Sequence, residues 1–443
     1  MENKTYYPLV PAQKSVIMSQ TVTGDKKKMS VINTFMLLFE WNDEPADFGA
    51  IKKAGNMLIK RNNAFGMRFR KKSLFAYDMW FEDYEYEDFE DVFFATEEEY
   101  NAWLDNANNT VGTELFGVPL YHMKVLHRPD GKGAFWIALN QMIGDGYSFK
   151  LMHEYFSAYY YAYVNNEELP NLKEGSYLTY MQKEHRYAGS DHEKADEQFW
   201  KQTFKSQKNM SFPAGQRKSN LQSSGIDVTI DGEVYKRLQQ QCAEIGCSQN
   251  MFLLSAMAAT VYALTGKHNF SVATVSYGRM DAASRRTIGN MASAPYLMYT
   301  VNPKLPFGKF ALSSYRNYLE MLRHVRYPDG KLFKLSLWQS IKGGFNFNYA
   351  WLLYSPLELE ANFRTKGITA KWGLSNGLPT QLYCLVFNLP EEGAVELQMK
   401  YQVKAFTPNQ MQHAADVFTK ILVDAVENPD VPMEVYLPKY SRK

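Results

Sequence analysis

The sequence predicts an α/β protein built from two halves, and three observations lead to this prediction. An apolar strand pattern at 134–139 runs into a polar turn, and an amphipathic helical pattern from about 148 to 163 follows it. The second half again alternates strands with helices, beginning with a strand at 226–230 and a helix at 232–245. At 443 residues the chain is too long for one ordinary hydrophobic core, so we expect two or three domains or subdomains.

The first half begins with a helix signal, because Pro11 suits a first helical position and apolar residues follow it. Strands and helices then alternate, with periods of two and of about 3.6 residues. The predicted elements are a helix from Pro11, a strand at 30–40, a helix at 47–61, a strand that starts within 61–69, an exposed strand and a helix from Thr96, strands at 119–125 and 134–139, and helices at 148–163, 176–186 and 191–205.

The second half contains the clearest helix boundaries. Gly246 is a typical left-handed helix stop, and Ser248 is a typical N-cap for the apolar helix at 251–265. Thr407 followed by Pro408 predicts the start of a final helix to Glu427. The other predicted elements are a polar loop at 213–224, strands at 270–277, 296–301, 346–354, 382–387 and 395–403, and a helix at 310–326.

Composition argues against several functional classes. Apolar residues make up 45% and charged residues 22%, as in ordinary soluble proteins, and the net charge of +2 gives no basic surface for nucleic acid. The three cysteines, Cys242, Cys247 and Cys384, are too few for a disulfide framework and lack zinc-site spacing, so we expect no metal site. The amino terminus lacks the apolar core of a signal peptide, and no apolar run is long enough to cross a membrane. A cytoplasmic protein without membrane contact is the expectation.

The polar turn at 140–146, here called the central turn, is the best candidate for chemistry. A strand that ends in a turn exposes side chains, and the helix that follows begins with unpaired N–H groups. Asp145 and Gly146 have the spacing of the last two residues of His-His-x-x-x-Asp-Gly, the signature of nonribosomal peptide synthetase condensation domains. The turn therefore resembles that signature, but Asn140 and Gln141 occupy the positions of its two histidines.

Further motifs extend this resemblance over nearly the whole chain. Residues 8–13 are similar to the Pro-Leu-Ser-Pro-Ala-Gln opening of the family, and 401–410 are similar to its strand, Phe-containing turn and final helix. The stretch 61–69 resembles the motif Arg-His-Glu-x-Leu-Arg-Thr-x-Phe, with Gly66 in place of the second arginine. The pairs Gly278-Arg279 and Ile288-Gly289 match "GxPxxGR…IGFFVNTLPLR", whereas the Asn-Thr-Leu-Pro part is replaced by Ser293-Ala294-Pro295-Tyr296.

The resemblance implies a fold and a class of reaction. The fold would consist of two chloramphenicol acetyltransferase-like α/β subdomains in a V-shaped pseudo-dimer with a central tunnel. We place the subdomains at 1–175 and 176–443, with connector helices at about 176–207. The reaction would move an acyl group from a thioester on the phosphopantetheine arm of an acyl or peptidyl carrier protein to a small-molecule amine or alcohol. The carrier protein would supply the arm, so the chain, a monomer, would bind no cofactor.

The resemblance also assigns roles to residues of the central turn. Gln141 stands where the second histidine would be the catalytic or orienting residue, and Asn140 takes a position regarded as structural. Asp145 would anchor the loop through an ion pair with Arg279 or Arg61, and Gly146 would let the backbone approach the substrate closely. A carboxamide cannot act as a general base, although it can donate or accept hydrogen bonds and so orient reactants.

Two hypotheses about function therefore remain open at the level of sequence. The chain is either an acyltransferase of atypical mechanism or a catalytically inactive relative that binds a carrier protein or recruits another enzyme. His153, early in the helix after the turn, is a candidate replacement base, but a core or groove-lining role is about five times likelier on general grounds. The sequence does not distinguish an amide product from an ester, or identify donor and acceptor.

Overall fold

The computed structural model describes residues 4–440 except 23, 74–75, 130, 207–220, 344–351, 361, 374 and 390–391. The strands in this part of the chain are β1 (Tyr7–Pro8), β2 (Thr34–Trp41), β3 (Met67–Lys71), β4 (Tyr77–Phe81), β5 (Glu90–Phe93), β6 (Tyr121–His127), β7 (Gly133–Asn140), β8 (Ser223–Ile230), β9 (Asn269–Thr274), β10 (Tyr296–Thr300), β11 (Leu352–Glu360), β12 (Asn362–Thr365), β13 (Ile368–Gly373), β14 (Leu382–Leu389) and β15 (Ala394–Gln402).

Most of the α-helices lie where the sequence predicts them. They are α1 (Pro11–Val22), α2 (Lys26–Ile32), α3 (Phe48–Arg61), α4 (Glu97–Thr110), α5 (Gly146–Val164), α6 (Tyr177–Tyr187), α7 (Asp191–Ser206), α8 (Gly232–Ile245), α9 (Gln249–Thr265), α10 (Phe307–Leu322), α11 (Asp329–Gly343) and α12 (Pro408–Glu427). Among the described helices, none combines the length and hydropathy needed to span a lipid bilayer.

The chain divides into two compact units. The first comprises 1–190, 277–292 and 361–377, and the second comprises 191–276, 293–360 and 378–443. The sequence predicts two contiguous halves that meet between residues 175 and 176. The observed units differ, because each consists of three separate segments of the chain. The reason is that β12 and β13, late in the chain, pair into the sheet of the first unit, and that 277–292 packs there as well.

The main sheet of the first unit has six strands in the order β12-β13-β2-β7-β6-β5. Every residue of β7 is buried, because both faces of this central strand are covered. Phe135, Ile137 and Leu139 pack into the core that contains α3 and α5, whereas Trp136 lies in a smaller core with Tyr100 of α4. Burial on both faces explains the unbroken apolar run at 134–139. A second, three-stranded sheet has the order β1-β4-β3.

The second unit also contains a six-stranded sheet, in the order β10-β9-β11-β14-β15-β8. One face packs against α8, α9, α10 and α12, and α9 is buried almost all round, as its composition predicts. Trp200 of α7 and Leu332 of α11 belong to a separate core that includes Tyr296 of β10. Thr407 caps α12 through a hydrogen bond from Gln410 N, in a capping box.

Some predicted boundaries differ from the structure. The predicted strand at 30–40 is divided, since α2 ends at Ile32 and β2 begins at Thr34; Asp25 caps α2 by accepting a hydrogen bond from Lys28 N, which favours the helix. Residues 213–220 of the predicted loop at 213–224, and residues 346–351 of the predicted strand at 346–354, lie outside the described residues. Neither α11 nor the β12–β13 hairpin was predicted from the sequence.

The packing of α3 on β7 gives a stability prediction. Gly55 faces the rings of Phe89 and Phe135, and an added Cβ would lie 2.6 Å and 2.9 Å from them. Alanine in a helix normally gains about 0.5–1 kcal/mol over glycine. We nevertheless expect Gly55→Ala to lower the free energy of unfolding by about 1–3 kcal/mol, because the core would be overpacked. Chemical denaturation measures the change.

Gly330→Ala is the matched control, because this helical glycine has open space around an added Cβ. It should leave stability unchanged or slightly raised. An increase in stability for Gly55→Ala would contradict the close approach of α3 to the sheet.

Candidate functional site

The central turn begins with a fully buried amide. Asn140, the last residue of β7, has no exposed surface. Its Nδ2 donates a hydrogen bond to Thr113 Oγ1 at 2.7 Å, and its Oδ1 accepts one from Met142 N at 2.9 Å. Both polar ends of the side chain are therefore satisfied inside the protein, which avoids the cost of burying an unpaired amide. The bond to Met142 N also sets the course of the backbone through the turn.

Gln141 has a fixed backbone and an unengaged side chain. Its N–H donates to Asn33 O at 2.7 Å, and its carbonyl oxygen accepts from Asn290 Nδ2 at 2.6 Å. The side chain is partly exposed, and its carboxamide makes no hydrogen bond to any residue that the structure describes. The root of the side chain is therefore held in place while its polar end remains available to another molecule.

The opening motif of the chain also contacts the central turn. Gln13, in the first turn of α1, is fully buried. Its Nε2 donates to Met142 O at 3.4 Å, and its Oε1 accepts from Val10 N at 3.1 Å. Residues that are far apart in sequence thus share one hydrogen-bond network around the turn.

Asp145 ends the turn and caps α5. Its Oδ1 accepts hydrogen bonds from Ser148 N at 3.0 Å and from Ser148 Oγ at 2.9 Å, and Ser148 Oγ accepts one from Asp145 N at 3.2 Å. Its Oδ2 accepts from Met291 N at 2.9 Å and lies 2.5 Å from Arg279 Nη1. Both oxygens are therefore occupied by protein donors, so this carboxylate anchors the loop and has no lone pair directed at a substrate.

Arg279 joins the central turn to 277–292. Besides Asp145, its guanidinium donates to Tyr277 O at 2.7 Å and to Gly289 O at 2.9 Å, and it lies over the ring of Tyr147. The side chains of Arg279 and Asp145 are 3% and 1% exposed. At such burial an unpaired charge costs several kcal/mol, so the two residues depend on each other.

The other candidate partner of Asp145, Arg61, lies elsewhere. Its Nη1 donates to Pro170 O at 2.8 Å and pairs with Glu174 Oε1 at 3.2 Å, and its guanidinium lies over the ring of Tyr159. As the last residue of α3, Arg61 holds the segment that follows α5 instead of the central turn.

The two glycines of the turn differ in their surroundings. Gly144 is buried, and a Cβ there would overlap the side chain of Leu139. Gly146 is partly exposed and is the first residue of α5, where backbone N–H groups lack intrahelical partners. Donors of this kind favour anionic groups near the beginning of the helix.

His153 is a core residue. Its ring stacks on Phe39 and Phe363, and its Nε2 lies 3.2 Å from Thr365 Oγ1. Burial lowers the pKa of His153 to about 4. The imidazole is therefore neutral at physiological pH and is enclosed by aromatic rings, so it does not replace the missing histidines of the turn.

The cysteines and the metal-binding residue types of the described ranges were the other candidates for chemistry. The thiols of Cys242, Cys247 and Cys384 are buried, and burial raises the pKa of each to about 12, which makes them unreactive. Within the described ranges, no three His, Cys, Asp or Glu side chains are arranged to hold a metal ion.

Comparison with known proteins identifies the family. The family model for the condensation domain matches residues 3–438, which is nearly the whole chain. This chain belongs to the condensation-domain family.

Relatives of this condensation domain are parts of much longer proteins. It is 24% identical over 439 residues to one of the plipastatin synthase subunits of Bacillus subtilis, a match that covers 96% of the domain and 16% of that protein. It is 23% identical over 336 residues to surfactin synthase subunit 1 of the same species, covering 73% of the domain and 9% of that protein.

Solved structures show the same fold. The match to a mutant starter condensation domain of rhizomide synthetase RzmA, in complex with C8-CoA, has a TM-score of 0.81 at 17% identity and covers 97% of both chains. The first condensation domain of the calcium-dependent antibiotic synthetase, in complex with a substrate analogue, gives 0.80 at 16% identity, covering 97% of this chain and 98% of that one. The chloramphenicol acetyltransferase-like α/β fold class predicted from the sequence is therefore confirmed.

Sequence reasoning missed three residues that shape the turn of this condensation domain. Asn33 and Thr113 lie outside the motifs that carry the resemblance, and Asn290 follows Ile288-Gly289 without belonging to the matched pair. All three are buried polar residues. In a sequence without coordinates, no pattern distinguishes them from surface Asn and Thr.

The ion pair of this condensation domain gives a stability prediction. Arg279→Ala should lower the free energy of unfolding by about 3–5 kcal/mol, because Asp145 would keep a buried charge without its cation. Arg323→Ala is the control, since the Arg323 side chain is 73% exposed and pairs with Glu320, which lies three residues earlier. It should change stability by less than about 0.5 kcal/mol. Urea denaturation measures the free energy of unfolding of both variants. An equally small change for Arg279→Ala and Arg323→Ala would contradict the anchoring role of Arg279.

His153 predicts a pH dependence of stability. Its pKa of about 4 in the folded chain lies below the ordinary value of 6.5, so the unfolded chain binds the proton more readily. The stabilisation is therefore complete above pH 6.5 and is lost as the pH falls towards 4. At pH 5 the loss should be about 2 kcal/mol relative to pH 7.5.

The measurement is urea denaturation at the two pH values. His153→Gln, which can keep a hydrogen bond to Thr365, should remove most of this pH-dependent difference. His413→Gln should keep it, because His413 is exposed. Equal pH dependence in wild type and His153→Gln would contradict the burial of a neutral imidazole.

Proposed function

We propose that this condensation domain is an acyltransferase in which Gln141 orients the reactants. The acyl donor is a thioester on the phosphopantetheine arm of an acyl or peptidyl carrier protein, and the acceptor is a small-molecule amine or alcohol. The observation that carries the proposal is the state of Gln141: its backbone is bonded on both sides, the residue is partly exposed, and its carboxamide has no partner among the described residues.

The chemistry of a carboxamide fits part of the reaction. The acceptor nitrogen or oxygen forms a bond to the thioester carbonyl carbon, the C–S bond breaks, and the thiol leaves with the proton that the acceptor loses. Gln141 Nε2 can donate a hydrogen bond to the oxyanion that develops, and its Oε1 can accept one from the nucleophile. It cannot remove the proton, so the general-base contribution, typically ~10²–10⁴-fold, is not available from this residue.

Three further properties of the central turn support a retained active site. Asn140 is hydrogen-bonded at both ends, Asp145 is paired with Arg279, and Gln13 supports the backbone between them. With amides at the two histidine positions of the motif, the side chains of Asn140, Asp145 and Gln13 are all hydrogen-bonded. A thioester is already activated, and positioning alone is worth several orders of magnitude in rate.

The relatives support the same class of reaction. Plipastatin synthase and surfactin synthase are named as synthases, and the RzmA domain was solved with C8-CoA, an acyl thioester. The chain spans only 16% and 9% of the two synthase proteins, so their complete activities extend beyond this domain. We propose that an acyl or peptidyl carrier protein is the partner here and that it supplies the phosphopantetheine arm.

A second candidate function has one observation in its favour. Neither Asn140 nor Gln141 titrates, and His153, the histidine nearest in sequence after the turn, is buried and has a lowered pKa. A turn without an imidazole also fits a catalytically inactive domain that binds a carrier protein or recruits another enzyme.

A transfer assay distinguishes the two functions. Carrier proteins loaded with different acyl groups are mixed with amines or alcohols, and products are detected by mass spectrometry. Gln141→Ala should lower kcat by about 10²–10³-fold with KM little changed, because a hydrogen bond made in the transition state is lost. Gln182→Ala, at an exposed glutamine of α6, is the matched control and should retain full activity.

The variant Gln141→His provides a second test in the same transfer assay. It should retain turnover and introduce an inflection in the pH–rate profile near pH ~6.5, the ordinary range of imidazole. If the wild type forms no product and Gln141→Ala binds carrier protein as tightly as the wild type does, the acyltransferase proposal fails and the binding function is favoured.

A further inference from the structure

Asn290 links 277–292 to the backbone of Gln141. Its side chain is 2% exposed, although it carries a donor and an acceptor. Nδ2 donates to Gln141 O at 2.6 Å, and Oδ1 accepts from Ala292 N at 3.1 Å. Because the second bond fixes which end of the amide is the acceptor, the NH₂ group is directed at Gln141.

Asn290 is itself held by the residues around it. Tyr177 is fully buried, and its hydroxyl donates to Asn290 O at 2.8 Å. Burial raises the pKa of Tyr177 well above its ordinary value, so it remains a neutral donor. The preceding residue, Gly289, has φ of +152°, and a Cβ there would overlap the Tyr177 ring. Only glycine therefore allows the backbone to pass Tyr177 and present Asn290 in this orientation.

The hydrogen bond from Asn290 restrains the backbone from which the Gln141 side chain projects. The N–H of Gln141 is bonded to Asn33 O, and its carbonyl oxygen is bonded to Asn290, so the backbone on both sides of the Cα is restrained. The direction of the Cα–Cβ bond is then fixed before any ligand binds. A glutamine with a restrained backbone loses less conformational entropy when its carboxamide contacts the reacting groups.

Residues 290 and 141 both differ from the family motifs that the sequence resembles. In the motif that 288–296 resembles, Ile-Gly is followed by Phe, which has no hydrogen-bond donor. Here Asn290 follows Ile288-Gly289, and its amide binds the residue that replaces a histidine. The two departures from the motif are therefore in direct contact.

We propose that Asn290 is a positioning residue for Gln141: it fixes the Gln141 backbone and thereby aims the carboxamide at the reacting groups. This inference rests on the acyltransferase function proposed above. Asn290 does not contact the substrate in this proposal, and its influence on the rate passes through Gln141 alone.

A double-mutant cycle on kcat tests this. Asn290→Ala should lower kcat by about 10–100-fold with KM within about twofold, because misplacement of a group used in the transition state costs rate. In the Gln141→Ala background, the same substitution should lower kcat by less than about twofold, because the group that it positions is absent.

The control is Asn56→Ala, because the hydrogen-bond partners that the structure describes for Asn56 are Lys52, Tyr84 and Glu87. Asn56 is also a buried asparagine that donates to backbone carbonyls, those of Lys52 and Glu87, and accepts from Glu87 N. The Asn56→Ala variant should lose stability as Asn290→Ala does, but its kcat should stay at the wild-type value. Asn290→Leu, closer in volume to the wild type, takes the place of Asn290→Ala if that variant does not fold, as judged by its thermal unfolding.

Crystal structures of the wild type and the Asn290 variant complete the test. We expect the Gln141 carbonyl to turn away from its wild-type position and the side chain to occupy a new direction. Equal losses of kcat in both backgrounds, or an unmoved Gln141 backbone, would overturn the positioning role while the acyltransferase function stands. If the wild type shows no turnover, the acyltransferase function fails. The crystal structures then decide by themselves whether Asn290 holds the Gln141 backbone in place.

Discussion

The buried ion pair between Asp145 and Arg279 is the interaction on which the central turn depends. One carboxylate oxygen caps α5 through Ser148, and the other accepts from Arg279 and Met291. The same pair thus fixes the beginning of a helix and brings 277–292 against the turn. An ion pair with so little exposure is costly to form, and its value here lies in the geometry that it imposes on the chain.

Around this anchor, amides hold the positions that bear imidazoles in the family signature. The Asn140 side chain is hydrogen-bonded at both polar ends and supports the backbone. Gln141 is bonded through its backbone, and none of the described residues bonds its carboxamide. Successive side chains along an extended backbone point in opposite directions, so one amide can be enclosed while the next is presented. In the function that we propose, Gln141 orients the reactants and does not take the proton.

Much of the fold could be predicted from local patterns. The apolar run of β7, the amphipathic α5, the glycine stop after α8 and the capping box of α12 each follow from short-range chemistry, and each is present in the structure. Local patterns could not assign β12 and β13 to the first unit, because the pairing of β13 with β2 joins residues more than 300 positions apart. Nor could they show that Arg279, and not Arg61, meets Asp145, since both candidates were plausible from the motifs.

The sequence by itself determined the family, the α/β class and the identity of the side chains in the central turn, since motif order, hydrophobic periodicity and capping residues are local properties of the chain. The tertiary structure decided which of those side chains are committed to the protein and which remain available. Asn290, Asn33 and Thr113 became part of the site only through contacts between distant segments. Hydrogen bonding and burial depend on what lies within a few ångströms in space, and that information is absent until the sheets and helices have packed.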